Sequence, residues 1–261
     1  MLLKNKIIVV YGAAGAIGSA VARAFALEGA RVFLTGHRKA PVETLAREIT
    51  AAGGSAEAAE VDALDEQAID DHLNSVVDRA GRVDVSFNAI GISDTSILGV
   101  PLLQLNQQTF FLPIESYVKS YFLTARLAAR RMIANKAGVI MTVTAPPARS
   151  GAPLLGGYVP AQAAKEALTR SLSVELAPEG IRVISLRPQA IAETDTIKDV
   201  FKLKGAGVSW EQWQTLMASR THTRRLTTLD EVSNVAAFMA SDRARGMTGT
   251  VVNLTMGTLD D

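Results

Sequence analysis

The sequence contains no cysteine, and this absence removes several kinds of chemistry at once. Disulfides, thiolate nucleophiles and cysteine-ligated zinc sites are all excluded. The three histidines, His37, His72 and His222, show no metal-ligand spacing, so we expect no bound metal. A chain without cysteine also fits an intracellular, cytoplasmic protein.

An excess of one charge and long apolar runs are missing as well. The chain has 27 basic and 26 acidic side chains and a net charge of +1, which is not typical of proteins that bind nucleic acids or anionic membranes. No apolar run reaches the roughly 18 residues needed to span a bilayer. We therefore expect a small-molecule substrate or a protein partner, with no nucleic acid and no membrane.

Short β-branched runs alternate with helical patterns along the whole chain. The strand-like runs are continuously apolar, as expected where helices cover both faces of a parallel sheet. About seven strands predict an α/β fold in which 1–261 forms a single doubly wound, Rossmann-type domain. The predicted strands are Lys6 to Tyr11, Arg31 to Thr35, Ala56 to Val61, Val83 to Asn88, Gly138 to Thr144, Ile181 to Leu186 and Thr250 to Leu254. The predicted helices are Ile17 to Glu28, Val42 to Ala52, Asp65 to Ala80, Ile114 to Asn135, Gly157 to Leu176 and Asp230 to Ala240.

Two longer stretches, 90–113 and 194–223, are predicted to be irregular. Both follow strands at the sheet edge where open α/β folds bind ligands, and both are rich in apolar residues. They are candidate walls for a largely apolar substrate. For Trp213 and Leu216 we expect ordinary helix packing instead.

A glycine loop follows the first predicted strand. Gly12, Gly15 and Gly18, with Ala16 and Ile17 among them, lead directly into a predicted helix. In a βαβ unit this arrangement lets the backbone approach a pyrophosphate at a helix N-terminus. It predicts a dinucleotide site, and the alternative is a set of simple tight-turn glycines.

Read with later segments, this loop resembles the short-chain dehydrogenase/reductase family, and the resemblance covers the whole chain. The supporting segments are Val61-Asp62, Asn88-Ala-Ile-Gly91, Glu175 to Val183, Pro188, Glu231-Val and Thr248 to Asn253. The resemblance implies a homo-oligomer, either a dimer or a tetramer. It also implies a cofactor cleft lined by Gly12, Gly18, Val61, Asp62, Asn88, Gly91, Pro188 and Ile191.

The family pattern is altered at some cofactor positions. Family members usually carry glycine at Ala16, threonine at Tyr11 and a second asparagine at Ala89. The added methyl group of Ala16 either pushes the phosphates outward or tightens helix packing.

The end of the second predicted strand bears on the choice between NAD and NADP. The chain reads Thr35-Gly36-His37-Arg38 there, with no carboxylate for a ribose 2′-hydroxyl. A guanidinium or an imidazolium suits a 2′-phosphate. NADP(H) is therefore the expected cofactor ahead of NAD(H), and the alternative is a solvated basic turn.

The resemblance also implies an altered catalytic site. In the family a tyrosine gives a proton, a lysine one turn later lowers its pKa, a serine binds the substrate oxygen and an asparagine holds a water. The register of the downstream helix puts Tyr158 at the tyrosine and Gln162 at the lysine. Ala145 then falls at the serine and Tyr117 at the asparagine.

Three nearby residues are candidate substitutes for the missing groups. Thr144 offers a hydroxyl if the strand end shifts by one residue. Lys165 follows Tyr158 by seven residues, a spacing like that of the divergent enoyl-reductase branch, but the register predicts that it faces solvent. Tyr117 either packs between helices or provides a different proton donor.

Two functions stay open at this point. The first is an NADP(H)-dependent oxidoreductase that acts on a largely apolar carbonyl or enoyl compound with an altered active site. The alternative is a catalytically inactive protein of the same fold that binds a dinucleotide or a protein partner.

Overall fold

The computed structural model describes residues 1–93, 97–205 and 207–260, and these form a seven-stranded sheet in the order β3-β2-β1-β4-β5-β6-β7. Neighbouring strands are parallel throughout. The strands are β1 Ile7–Tyr11, β2 Arg31–Gly36, β3 Ser55–Glu60, β4 Val85–Asn88, β5 Gly138–Val143, β6 Ile181–Pro188 and β7 Thr250–Leu254. The predicted α/β fold of Rossmann type is confirmed.

Helices cover both faces of the sheet. They are α1 Ala16–Leu27, α2 Lys39–Ala51, α3 Glu66–Ala80, α4 Gln107–Pro113, α5 Ser120–Met132, α6 Tyr158–Leu176, α7 Asp195–Lys204, α8 Trp210–Ser219 and α9 Leu229–Ala240. In β1, Ile8 and Val10 belong to one buried cluster and Ile7 and Val9 to the other, because successive strand residues point to opposite faces. None of these helices is long and apolar enough to cross a membrane, as far as the described residues show.

The two stretches predicted to be irregular contain helices, so that prediction is wrong. The first includes α4, and the second includes α7 and α8. Their starts carry capping side chains: Asn106 accepts from the backbone of α4 and Thr194 from that of α7, and Ser209 forms a capping box with Gln212 in α8. These caps satisfy backbone N–H groups that a helix end otherwise leaves unpaired.

The helix predicted over Ile114 to Asn135 is part of a longer composite helix. It starts with α4, continues through a π-helical segment, Ile114–Lys119, and runs on as α5. Pro113 ends α4, since its ring lacks the N–H of a regular turn. The wider turns of the π-helical segment carry the buried Tyr117, and such turns are frequent at functional sites.

We predict that Gly157→Ala destabilises the protein. Gly157 precedes α6, and an added Cβ would overlap the carbonyl oxygen of Phe110 in α4. The two helices would have to separate, at a cost of roughly 1–3 kcal/mol in the free energy of unfolding. Denaturant unfolding measures this loss, with Gly151→Ala as the matched control because nothing lies within 4 Å of its added Cβ. Equal stability of both variants would contradict the close helix contact.

Candidate active site

A cleft of about 1460 Å³ opens beyond the carboxyl ends of the strands. Strand order reverses between β1 and β4, the position where open α/β sheets bind ligands. The predicted cofactor residues on its wall are Gly12, Gly15, Ala16, Ile17, Gly18, His37, Arg38, Val61, Asp62, Gly91, Pro188 and Ile191. The predicted catalytic residues on its wall are Tyr117, Thr144, Tyr158 and Gln162.

The glycine loop forms a cradle at one end of this cleft. Gly12 has a φ of +72°, and an added Cβ would lie 2.7 Å from the carbonyl oxygen of Ala89. A Cβ on Gly18 would overlap the carbonyl oxygen of Gly12. Gly15 is the N-cap residue of α1 and provides no capping side chain, which leaves the first N–H groups of the helix available to an anion. The loop therefore fits the diphosphate of a dinucleotide.

Two basic side chains stand at the rim beside this cradle. His37 and Arg38 follow β2, and both are exposed and line the cleft. Asp62 lies on the same wall, where its carboxylate accepts a hydrogen bond from the backbone N–H of Leu64 at 2.9 Å. The end of the cleft near β2 thus presents a guanidinium and an imidazole beside one carboxylate.

Asn88 lies beneath the cleft rather than on its wall, which corrects one predicted position. Its side chain is 1% exposed. The amide nitrogen donates to the hydroxyl of Thr124 at 3.1 Å, and the amide oxygen accepts from the backbone N–H of Ile90 at 3.3 Å. Asn88 therefore supports the loop after β4 and does not reach into the cleft.

Two phenol rings meet on the cleft wall. Tyr117, from the π-helical segment, and Tyr158, the first residue of α6, pack edge to face with ring centroids 5.7 Å apart. The hydroxyl of Tyr117 accepts a hydrogen bond from the backbone N–H of Ile92 at 3.3 Å. The structure thus brings two candidate proton donors together from different elements.

The hydroxyl of Thr144 does not replace a serine at the position of Ala145. It donates to the carboxylate of Glu166 at 3.0 Å. The same carboxylate receives the guanidinium of Arg187 at 2.8 and 2.9 Å, inside a buried ion pair. Thr144 lines the cleft, but its hydroxyl hydrogen is used within the protein.

Gln162 presents an unsatisfied group to the cleft. The side chain is 3% exposed, and its amide oxygen has no hydrogen-bond partner within the described part of the chain. A buried acceptor without a partner is costly, so a ligand hydroxyl or N–H is the natural partner. Together with the glycine cradle, this orphan oxygen fits a bound dinucleotide.

Lys165 is buried, so the prediction that it faces solvent is wrong. It is 1% exposed, and its Nζ donates to the carbonyl oxygen of Val143 at 2.6 Å. Burial lowers the pKa of its amino group from 10.5 to about 7. The helical period contained the signal: Lys165 lies three residues after Gln162 and therefore shares its inward face.

Aromatic and aliphatic side chains form the opposite wall. Trp213 is 6% exposed, stacks on Trp210 at 5.4 Å and packs against Phe201. Trp213 and Leu216 both line the cleft, so the expectation of ordinary helix packing describes only part of their role.

Among residues 1–93, 97–205 and 207–260, no group of three or more acidic or histidine side chains could hold a metal ion.

Comparison with known proteins agrees with this geometry. A family model described as enoyl-(acyl carrier protein) reductase matches residues 12–258. L-rhamnose 1-dehydrogenase (NAD(P)(+)) of Azotobacter vinelandii is 32% identical over 95% of this chain and 94% of its own length. The 7alpha-hydroxysteroid dehydrogenase of Escherichia coli strain K12 is 27% identical over 99% of this chain and 96% of its own.

A solved structure extends the agreement to the fold. Actinorhodin polyketide ketoreductase, crystallised as a variant with NADPH, superposes with a TM-score of 0.89 at 24% identity. The match covers 97% of each chain.

We predict that Lys165→Met changes how stability depends on pH. The unfolded chain keeps a proton on Lys165 up to a pH near 10.5, whereas the folded chain releases it near 7. Between these values unfolding takes up a proton, so this residue's contribution to stability rises with pH across the window and is lowest below 7. The variant should gain stability over the parent at pH 6, and the gain should shrink by a few kcal/mol towards pH 10, on the order expected for such a shift.

Denaturant unfolding at several pH values measures this difference. Arg170→Met is the matched control, because Arg170 lies exposed on the same helix. A difference between the Lys165→Met variant and the parent that does not vary with pH would show that Lys165 does not titrate in this window.

Proposed function

The chain belongs to the short-chain dehydrogenase/reductase family, and on that premise we propose that it is an NADP(H)-dependent oxidoreductase for a largely apolar carbonyl or enoyl compound. The observation that carries the proposal is a single cleft with a glycine cradle at one end and two phenols beside it. A dinucleotide and a proton donor can therefore meet one small molecule.

Arg38 and His37 at the end of the cleft support NADP(H) ahead of NAD(H). L-rhamnose 1-dehydrogenase, a relative of this chain, is named for both cofactors, so the preference rests on this chain's own residues. Arg38 can hold a 2′-phosphate through charge-assisted hydrogen bonds, and His37 stands beside it. When bound, the cofactor supplies the hydride.

The phenols supply the proton in this proposal. Reduction of a carbonyl leaves negative charge on oxygen, which requires a nearby acid. Ala145 has no donor, and Thr144 uses its hydrogen on Glu166. We therefore assign the acid to Tyr117 and Tyr158, and we assign Gln162 to cofactor binding through its orphan oxygen.

The apolar character of the substrate is inferred from the wall around the phenols. Leu98, Leu155, Trp213, Leu216 and Met217 all line the cleft. Such a wall favours a ligand with few polar groups. The two relatives are named for a sugar and for a steroid, so the wall of this chain is the better guide.

The alternative is an inactive family member that binds a dinucleotide or a protein partner. The alanine at 145 and the glutamine at 162 favour it, since both remove groups that the family uses.

For either function we propose a homo-oligomer, a dimer or a tetramer, in the cytoplasm. Phe111 and Phe122 support the oligomer because both are large exposed apolar side chains near α5.

We predict that Arg38→Ala weakens NADPH binding about tenfold or more and leaves NADH binding unchanged, because only NADPH carries the 2′-phosphate. Titration of the fluorescence of Trp210 and Trp213 measures both affinities. Lys39→Ala is the matched control, since Lys39 pairs with Glu43 and does not line the cleft. Equal losses for both nucleotides would argue against 2′-phosphate recognition, and a parent chain that binds neither would contradict the proposal.

We predict that the double variant Tyr117→Phe, Tyr158→Phe lowers kcat by about 100-fold or more, the usual contribution of a general acid. Its NADPH affinity should stay within about twofold, because the rings remain and only the hydroxyls are lost. The measurement is NADPH consumption against a panel of apolar ketones and enoyl thioesters. A double variant as active as the parent would remove the phenols from the mechanism. NADPH binding by the parent without turnover on the whole panel would favour the inactive alternative.

A further inference from the structure

A buried amino group lies directly behind the phenols of the cleft. The Nζ of Lys165 is 5.5 Å from the ring centroid of Tyr117 and 6.0 Å from that of Tyr121. Its hydrogen bond to the carbonyl oxygen of Val143 fixes it at the end of β5. Two aromatic rings and one carbonyl therefore surround this group, and their attraction for a cation offsets part of the cost of burying the charge.

No carboxylate balances Lys165 within the described residues. The neighbouring Glu166 is held by Arg187 and Thr144. Tyr121 is fully buried, and its hydroxyl is hydrogen-bonded to that of Thr169 at 3.0 Å. Among the described residues, the titratable group that faces Lys165 and also reaches the cleft is Tyr117.

We propose that Lys165 is a positioning residue that stabilises the phenolate of Tyr117, and so supplies from behind the positive charge that Gln162 lacks. The inference rests on the proposed oxidoreductase function. When Tyr117 gives its proton to a substrate oxygen, its O–H bond breaks and a phenolate remains until solvent restores the proton. The ammonium of Lys165 faces that negative charge across the ring, and the two groups titrate as a coupled pair. The phenolate favours the charged form of Lys165 and so opposes burial, which lowers the pKa of its amino group to about 7.

A second contact makes Tyr117, rather than Tyr158, the phenol on which Lys165 acts. The backbone N–H of Ile92 points at the oxygen of Tyr117. A hydrogen bond donated to an oxygen favours its charged form, as does a nearby positive charge. Tyr117 receives both effects, and it is the ring of the pair that Lys165 contacts.

Absorbance titration of the phenolates tests this inference without any substrate. The chain has four tyrosines. Burial raises the pKa of Tyr11 and of Tyr121, so neither ionises until high pH. The first phenolate to form in the folded protein therefore reports on Tyr117 or Tyr158.

We expect the first midpoint to rise by about one pH unit or more in Lys165→Gln, which keeps a donor for Val143 but not the charge. Lys165→Arg should restore a midpoint close to that of the parent. Tyr117→Phe should remove the first phenolate, and Tyr158→Phe should leave it. An unchanged midpoint in Lys165→Gln, or loss of the first phenolate in Tyr158→Phe instead, would overturn the proposal.

Two further measurements keep the test decisive. Circular dichroism shows whether Lys165→Gln is folded, and Lys165→Met gives a second variant without charge if it is not. In NADPH-dependent turnover, Lys165→Gln should lower kcat at least about tenfold with KM for NADPH unchanged, and the high-pH limb of kcat should move with the phenolate midpoint. If the chain shows no turnover, the oxidoreductase function fails while the phenolate titration still decides the role of Lys165.

Discussion

Two adjacent charged residues hold α6 against the end of β5, and the geometry of the cleft depends on this attachment. Lys165 donates to the carbonyl oxygen of Val143, and Glu166 accepts from the hydroxyl of Thr144. Displacing α6 would leave a buried cation and a buried anion without partners, which is a heavy free-energy cost. Tyr158 and Gln162, which lie on the same helix, are therefore held at a defined distance from the sheet.

The two ends of the cleft follow different physical requirements. At the cofactor end, backbone has to approach backbone, as the contact between Gly12 and Ala89 shows. At the end with the two phenols, the requirement is only that a charge and proton donors stand in the right positions, and more than one set of residues can meet it. Here the two candidate donors, Tyr117 and Tyr158, come from the π-helical segment and from α6, so the candidate site lies between two helices rather than along one.

The sheet could be predicted from the sequence more fully than the site. Continuous apolar runs mark buried parallel strands, and β7 has the bounds that its pattern predicts. The π-helical turns have no such signature, because a wider turn depends on how the composite helix meets α6. The residue type of Lys165 gives no sign of its burial, because lysine is usually exposed and its environment forms only where β5, α5 and α6 meet. The sequence does not indicate the partner of Thr144 either, because Glu166 lies 22 residues away in the chain and meets it only in the fold.

The inward face shared by positions 162 and 165 also limits how such a site can arise. Lysines at both positions would lie three residues apart on a buried helix face, where like charges repel and no carboxylate of the described chain pairs with Lys165. A lineage that moves its lysine from one position to the other must pass through a chain with both lysines or with neither. On the proposed role of Lys165, the chain with neither lysine lacks the charge and the chain with both buries two like charges, so each single-lysine arrangement is favoured over the intermediates between them.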